Sequence, residues 1–177
     1  MVMLPLLLLL TRVGVAHQLK PPLYAKVLGV TLGIDSIQAL EAHIGDGKIQ
    51  PGGHSNSGRL WKFKCCTLSS DAFERSGTTL LLDYFCVQSW KGRLGDCYPF
   101  RCYKSSPLGA LLFGENLTDC VHQLQRAGLH PTLAANRIKC QNRSEAVIGR
   151  EKRKLTYTLT ISGARGIDTI VVTIDYS

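Results

Sequence analysis

The chain has 177 residues, 45% of them hydrophobic, and a formal net charge of +8. That length suits one domain or two small lobes around a shared core, and the composition excludes a disordered or fibrous chain. The basic residues are scattered; their one cluster, Arg150 to Lys154, has the charge to meet phosphate, an acidic partner or anionic lipid, but no aromatic residues are interleaved with it as a stacking surface needs, so no nucleic acid is expected.

The first element is the apolar run "MVMLPLLLLL". It is shorter than the roughly 20 residues that cross a bilayer. Small residues Gly14 and Ala16 stand at −3 and −1 of a cut before His17, so 1–16 reads as a signal peptide and 17–26 as a lead-in. No later segment is apolar enough for long enough to span a membrane. The expected location is secreted or periplasmic.

Residues 27–88 read as a first α+β repeat. In "VLGVTLGIDSIQALEAHIGDGK" the apolar stripe Ile37, Leu40 and Ile44 predicts a helix. Asp35 or Ser36 suits its N-cap, and Gly45 its left-handed end. The loop "QPGGHSNSGRLWKF" follows at 50–63. Its His54, Ser55, Asn56 and Ser57 are adjacent, whereas a nucleophile, base and orienting group converge from distant segments. Glycine, proline, serine and asparagine are turn formers, so 50–58 is expected to be an exposed turn. His54, Asn56, Ser57 and Arg59 are its expected contact residues, with no catalytic residue. "RLWKFKCC" and "TTLLLDYFCV" then read as strands, with Trp61, Phe63 and Cys65 sharing one face. Trp61 and Trp90 read as packing residues.

Residues 89–106 read as a linker and 107–177 as a second repeat. In "ENLTDCVHQLQRAG" the stripe Leu117, Cys120, Val121 and Leu124 predicts a helix capped by Asn116 and ended by Gly128. Strands are expected in "NRIKC", "KLTYTLTIS" and "IDTIVVTIDY". Leu155, Tyr157, Leu159 and Ile161 alternate with polar residues, and 162–166 forms a hairpin loop. The basic cluster "REKRK", Arg150 to Lys154, reads as a solvated loop before a strand. The expected fold class is therefore α+β. Two similar helix-then-antiparallel-strand units would form one extended or shared sheet, with helices on one face.

Seven cysteines in an exported chain imply disulfides. At least one bridge is expected, Cys97–Cys102 or Cys65–Cys86, and Cys120 is expected to be buried as a small hydrophobe. There is no CxxC pair. No two of His43, His54, His122 and His130 stand at i, i+4 on one helix, so neither a metal nor a cofactor is expected. Triplets at Asn116 and Asn142 match glycan acceptors.

The Gly33–helix–Gly45 and Gly114–helix–Gly128 pattern, each followed by antiparallel strands, resembles the SmpA outer-membrane lipoproteins. Its tandem form resembles the beta-lactamase-inhibitory-protein fold. The resemblance covers roughly 27–176 and rests on those glycines and helix stripes. It implies an exported binding scaffold that contacts another protein through its sheet. No cysteine stands directly after the apolar run, so the lipid anchor of the lipoproteins is missing, and no inhibitory residue carries over. The expected function is a non-catalytic binding or inhibitor-like scaffold, its partner a protein or envelope component. The alternative is a small exported hydrolase using His54 with a distant serine or cysteine. One form of it pairs Cys65 or Cys66 with His43 or His54.

Overall fold

The computed structural model describes residues 20–50, 58–72, 75–76, 79–104, 106–148 and 150–177. The expected signal peptide, and His54, Asn56 and Ser57 of the expected turn, lie outside the described residues. Strands β1 (Lys26–Val27) and β2 (Val30–Thr31) precede helix α1 (Ile37–Ile44). Then come β3 (Lys48–Ile49), β4 (Arg59–Lys62), β5 (Thr67–Asp71), β6 (Arg75–Ser76), β7 (Thr79–Leu80) and β8 (Tyr84–Gln88). Helix α2 (Leu117–Arg126) leads into β9 (Thr132–Ala134), β10 (Arg137–Ile148), β11 (Glu151–Ser162) and β12 (Thr169–Tyr176). Eight strands form one antiparallel sheet in the order β3-β4-β5-β8-β12-β11-β10-β9.

This corrects the expected fold class. The chain is mainly β, built on one large sheet rather than on two helix-then-strand units with a helical face. The physical reason lies in the sizes of the elements. The helices are 8 and 10 residues long, and their fully buried residues are Ile37 and Leu40 in α1, Cys120 and Leu124 in α2. By contrast, β10 and β11 pair over 12 residues each. Apolar stripes that short leave most of a sheet face to be covered by other segments. Three of these are 3-10 turns at Leu94–Asp96, Phe100–Tyr103 and Pro107–Ala110. With their neighbours they place Trp90, Leu94, Phe100, Leu108 and Leu111 in the core.

Local signals hold where they are strongest. The Ser36 hydroxyl accepts from Ala39 N–H at 3.2 Å, and the Asn116 side chain accepts from Thr118 N–H at 2.7 Å. Gly45 turns the chain out of α1 at φ 84°, in the left-handed region that a side chain disfavours. Leu155, Tyr157, Leu159 and Ile161 are fully buried, facing Val172 and Ile170 on β12. The basic cluster departs from its expected loop, since Glu151 to Lys154 open β11.

Two tyrosines tie the N-terminal segment to this core. Tyr157 donates its hydroxyl to Leu32 O at 3.1 Å, and Tyr24 donates to Asn142 Oδ1 at 2.8 Å. Both rings are fully buried. Burial pushes the Tyr157 phenol from 10 up to about 12, and that of Tyr24 also upward. A raised phenol pKa means the unfolded chain loses its proton first. The associated stability is therefore complete below pH 10 and lost as pH rises through 12. Alkaline unfolding should show stability falling from pH 10 by about 1.4 kcal/mol per pH unit for each such tyrosine. The tyrosinate absorbance due to these two phenols, read as the difference between the wild type and a Tyr24→Phe/Tyr157→Phe chain, should appear together with unfolding; its appearance in the folded state would contradict the assigned burial.

Candidate functional site

The sheet has two unlike faces. Along β11 the odd-numbered residues from Leu155 to Ile161 point into the core, so Lys154, Thr156, Thr158, Thr160 and Ser162 point the other way. The register carries this second face across every strand. One row runs Lys48, Leu60, Ser69, Cys86 on one half of the sheet. It continues through Val171, Thr160, Lys139 and Thr132 on the other. A parallel row holds Lys62, Thr67, Gln88, Thr169, Ser162 and Arg137. A shorter one holds Asp71, Tyr84, Thr173, Thr158 and Gln141.

This face is mainly polar and basic and partly exposed, with Leu60, Val147 and Val171 as its apolar residues. Its cations are Lys48, Lys62, Arg137, Lys139, Arg143, Lys152 and Lys154; its carboxylates are Asp71, Glu145 and Asp175. Lys152 pairs with Glu145, and that hydrogen bond and charge hold the Glu145 carboxyl below its usual range. Thr67, Thr156, Thr160, Thr169 and Thr173 are half-buried by their cross-strand neighbours, Thr158 is 8% exposed, and Thr132 on the edge strand is exposed. At one end the face meets an open groove of about 710 Å³ bordered by Arg137, Lys139, Asn136 and Asp168. No described element supplies an apolar layer over these rows, whereas the opposite face carries the hydrophobic core.

The centre of the face brings together Tyr84, Cys86 and Ser69, with Cys86 directly across from Ser69. Burial pushes the Tyr84 phenol up to about 12 and the Cys86 thiol upward as well. Both therefore stay protonated at neutral pH. The Asp71 carboxylate stands directly across from Tyr84. His43 is elsewhere, its Nδ1 at 2.8 Å from Ala39 O on α1.

Arg59 is placed on the core side of β4. Its Nε donates to Glu41 Oε1 at 2.7 Å, and both side chains are largely covered. It braces α1 against the sheet instead of reaching outward from a contact loop. The disulfide assignment also changes. Cys65 bridges Cys97, with Cα atoms 5.9 Å apart. Cys65–Cys86 does not form, because Cys86 faces Ser69 and Val171 within the sheet while Cys65 stands beyond the end of β4. Cys97–Cys102 does not form, because the Cys97 sulfur is taken by Cys65. Cys66, Cys86, Cys120 and Cys140 are buried and unbridged. Desolvation raises the thiol pKa of Cys120 to about 12 and those of Cys66 and Cys140 to about 11. Cys120 and Cys140, with no disulfide beside them, are inert hydrophobes at neutral pH.

Sequence reasoning missed the open face. Its one local signal is the alternation "TYTLTIS", whose apolar half was used to place the core. Among the described residues no helix is long and apolar enough to cross a membrane. Compared with known proteins, the chain matches no family profile, no curated protein and no solved structure.

Proposed function

We propose that this protein is an exported, non-catalytic binding module that docks an acidic protein partner on the open face of its sheet. The observation carrying this reading is the continuous eight-strand polar surface with seven cations against three carboxylates. Two features support it further. Eight strands spaced at about 4.8 Å make the face roughly 34 Å wide, and its depth runs from roughly 7 Å at the short edge strand β3 to roughly 41 Å along β10 and β11. That footprint approaches the ~800 Å² per side of a standard interface. The face also has Tyr84 as its single aromatic residue among the rows, which favours a protein over a stacked nucleic acid.

Export rests on the signal-like N-terminus, and the Cys65–Cys97 bridge is chemistry suited to an oxidising compartment. The resemblance to the SmpA-type exported proteins stands beside this as a proposal about ancestry and mode of use.

A photo-crosslinking residue placed at Thr160 tests the proposal in the secreting cells. It should capture one acidic protein that the same probe at exposed Gln125 on α2 does not capture. The double reversal Lys139→Glu with Arg143→Glu should weaken that complex about tenfold or more, through lost electrostatic complementarity. Folding stability should stay within about 0.5 kcal/mol, as for exposed sites in general. Equal capture from both positions, or binding indifferent to the reversal, would reject the sheet face as the docking surface.

A further inference from the structure

Three sulfurs meet at the end of the β4–β5 hairpin. Cys65 and Cys66 sit in its turn, closed where Phe63 N–H donates to Cys66 O at 2.8 Å. Lys91 N–H donates to Cys65 O at 2.9 Å, which docks the turn against the segment leading to Cys97. Cys97 follows the 3-10 turn Leu94–Asp96 and bridges Cys65. The unbridged Cys66 sulfur lies only 3.5 Å from the Cys97 sulfur, and all three sulfurs lie within 4.8 Å of one another. Neighbouring side chains usually diverge, yet here both address one third sulfur. Their exposure differs: Cys66 is 3% and Cys97 4% exposed, while Cys65 is only half-buried.

We propose that these sulfurs form a thiol–disulfide exchange centre in which the bridge passes between Cys65–Cys97 and Cys66–Cys97. The Cys66 thiol gives its proton to solvent, and the resulting thiolate attacks Cys97 Sγ. The Cys66–Cys97 bond forms as the Cys65–Cys97 bond breaks. The electron pair leaves on Cys65 Sγ, which then takes up a proton. Nothing is oxidised or reduced overall, and no outside reagent is consumed. The consequence is a change in which thiol is free: a buried one is replaced by one at the surface, beside Tyr98 O at 3.1 Å. In that form Cys65 is open to low-molecular-weight disulfides: its thiolate would attack one sulfur, the small S–S bond would break, and one equivalent of the small thiol would leave as the mixed disulfide forms. The buried Cys66 thiol, raised to about 11, is scarcely ionised at neutral pH, so exchange is slow there and accelerates about tenfold per pH unit below 11.

The test uses the oxidised, folded full chain. Iodoacetamide is added at several pH values, samples are quenched in acid, and the peptides are mapped without reduction, with fragmentation between the two adjacent cysteines. Carbamidomethyl should accumulate on Cys65 in step with a Cys66–Cys97 bridge, about tenfold faster per pH unit. Cys66→Ser should abolish labelling of Cys65. Cys65→Ser should oxidise to a Cys66–Cys97 bridge and remain folded. Three outcomes overturn the proposal. They are labelling of Cys66 while Cys65–Cys97 stays intact, absence of label on both in the folded protein, and a Cys65→Ser chain that leaves Cys97 free or bridges it to Cys102.

Discussion

Trp61→Ala should lower the stability of the protein by about 3–5 kcal/mol, the cost typical of deleting a buried Trp or Phe side chain. The indole is 5% exposed and faces Leu68 on the core side of the sheet. Its Nε1–H donates to Gly45 O at 2.8 Å, at the point where α1 ends. The ring also lies against the backbone of Gly47, where an added Cβ would stand 2.7 Å from the indole. One side chain thus packs the penultimate strand, the helix end and the connection to the edge strand β3. Removing it leaves a cavity and an unsatisfied carbonyl together, and β3, two residues long, has little else to hold it. Trp61→Phe should fall between, since it keeps part of the ring and loses the hydrogen bond. Lys62→Ala, exposed on the opposite face of the same strand, should stay within about 0.5 kcal/mol. Urea denaturation of the four proteins measures the series; a Trp61→Ala loss as small as that of Lys62→Ala would contradict the packing described.

That same strand shows what a sequence discloses and what it hides. The alternation in "RLWKF" marks Trp61 as inward because period two is a property of a single strand. The caps Ser36 and Asn116 are legible for a like reason: each bonds within three residues of itself. The open face has no such local record. It takes one residue from each of eight strands, so Lys48, Ser69, Cys86, Val171 and Thr160 are neighbours only after the register is set. No spacing along the chain encodes that row. Arg59 adjoins a glycine-rich loop in sequence, yet its partner Glu41 lies back on α1, a pairing that no spacing along the chain encodes. The 89–106 segment, expected as a linker, carries Trp90 into the core just after β8, and Leu94 and Phe100 through 3-10 turns whose short period gives no amphipathic stripe. The cysteine pairing depends in turn on where that segment docks.

Cys97→Ser should cost about 3–4 kcal/mol in the oxidised protein, because the bridge it removes closes a loop with a sequence separation of 32. Loop-closure entropy places a chain of that length between the ~3 kcal/mol of a 15-residue loop and the ~4.7 kcal/mol of a 100-residue one. Cys65→Ser removes the same bridge but leaves Cys66 within 3.5 Å of Cys97. If Cys66 takes over, the new loop is one residue shorter and its entropy almost unchanged, so most of the stability should return. The two substitutions therefore separate, although they break one bond. The separation also has an internal control. With excess dithiol the wild-type bridge opens, and all three chains should converge to within about 1 kcal/mol of one another, since the serines differ from the cysteines by little but the bond. Oxidised urea titrations in which Cys65→Ser and Cys97→Ser lose equal stability would show that Cys66 cannot reach across. Convergence at the wild-type oxidised value would show instead that the bridge contributes nothing. The turn at 63–66 is where those outcomes are decided: Phe63 and Lys91 hold both sulfurs toward Cys97 through backbone hydrogen bonds that neither serine substitution disturbs.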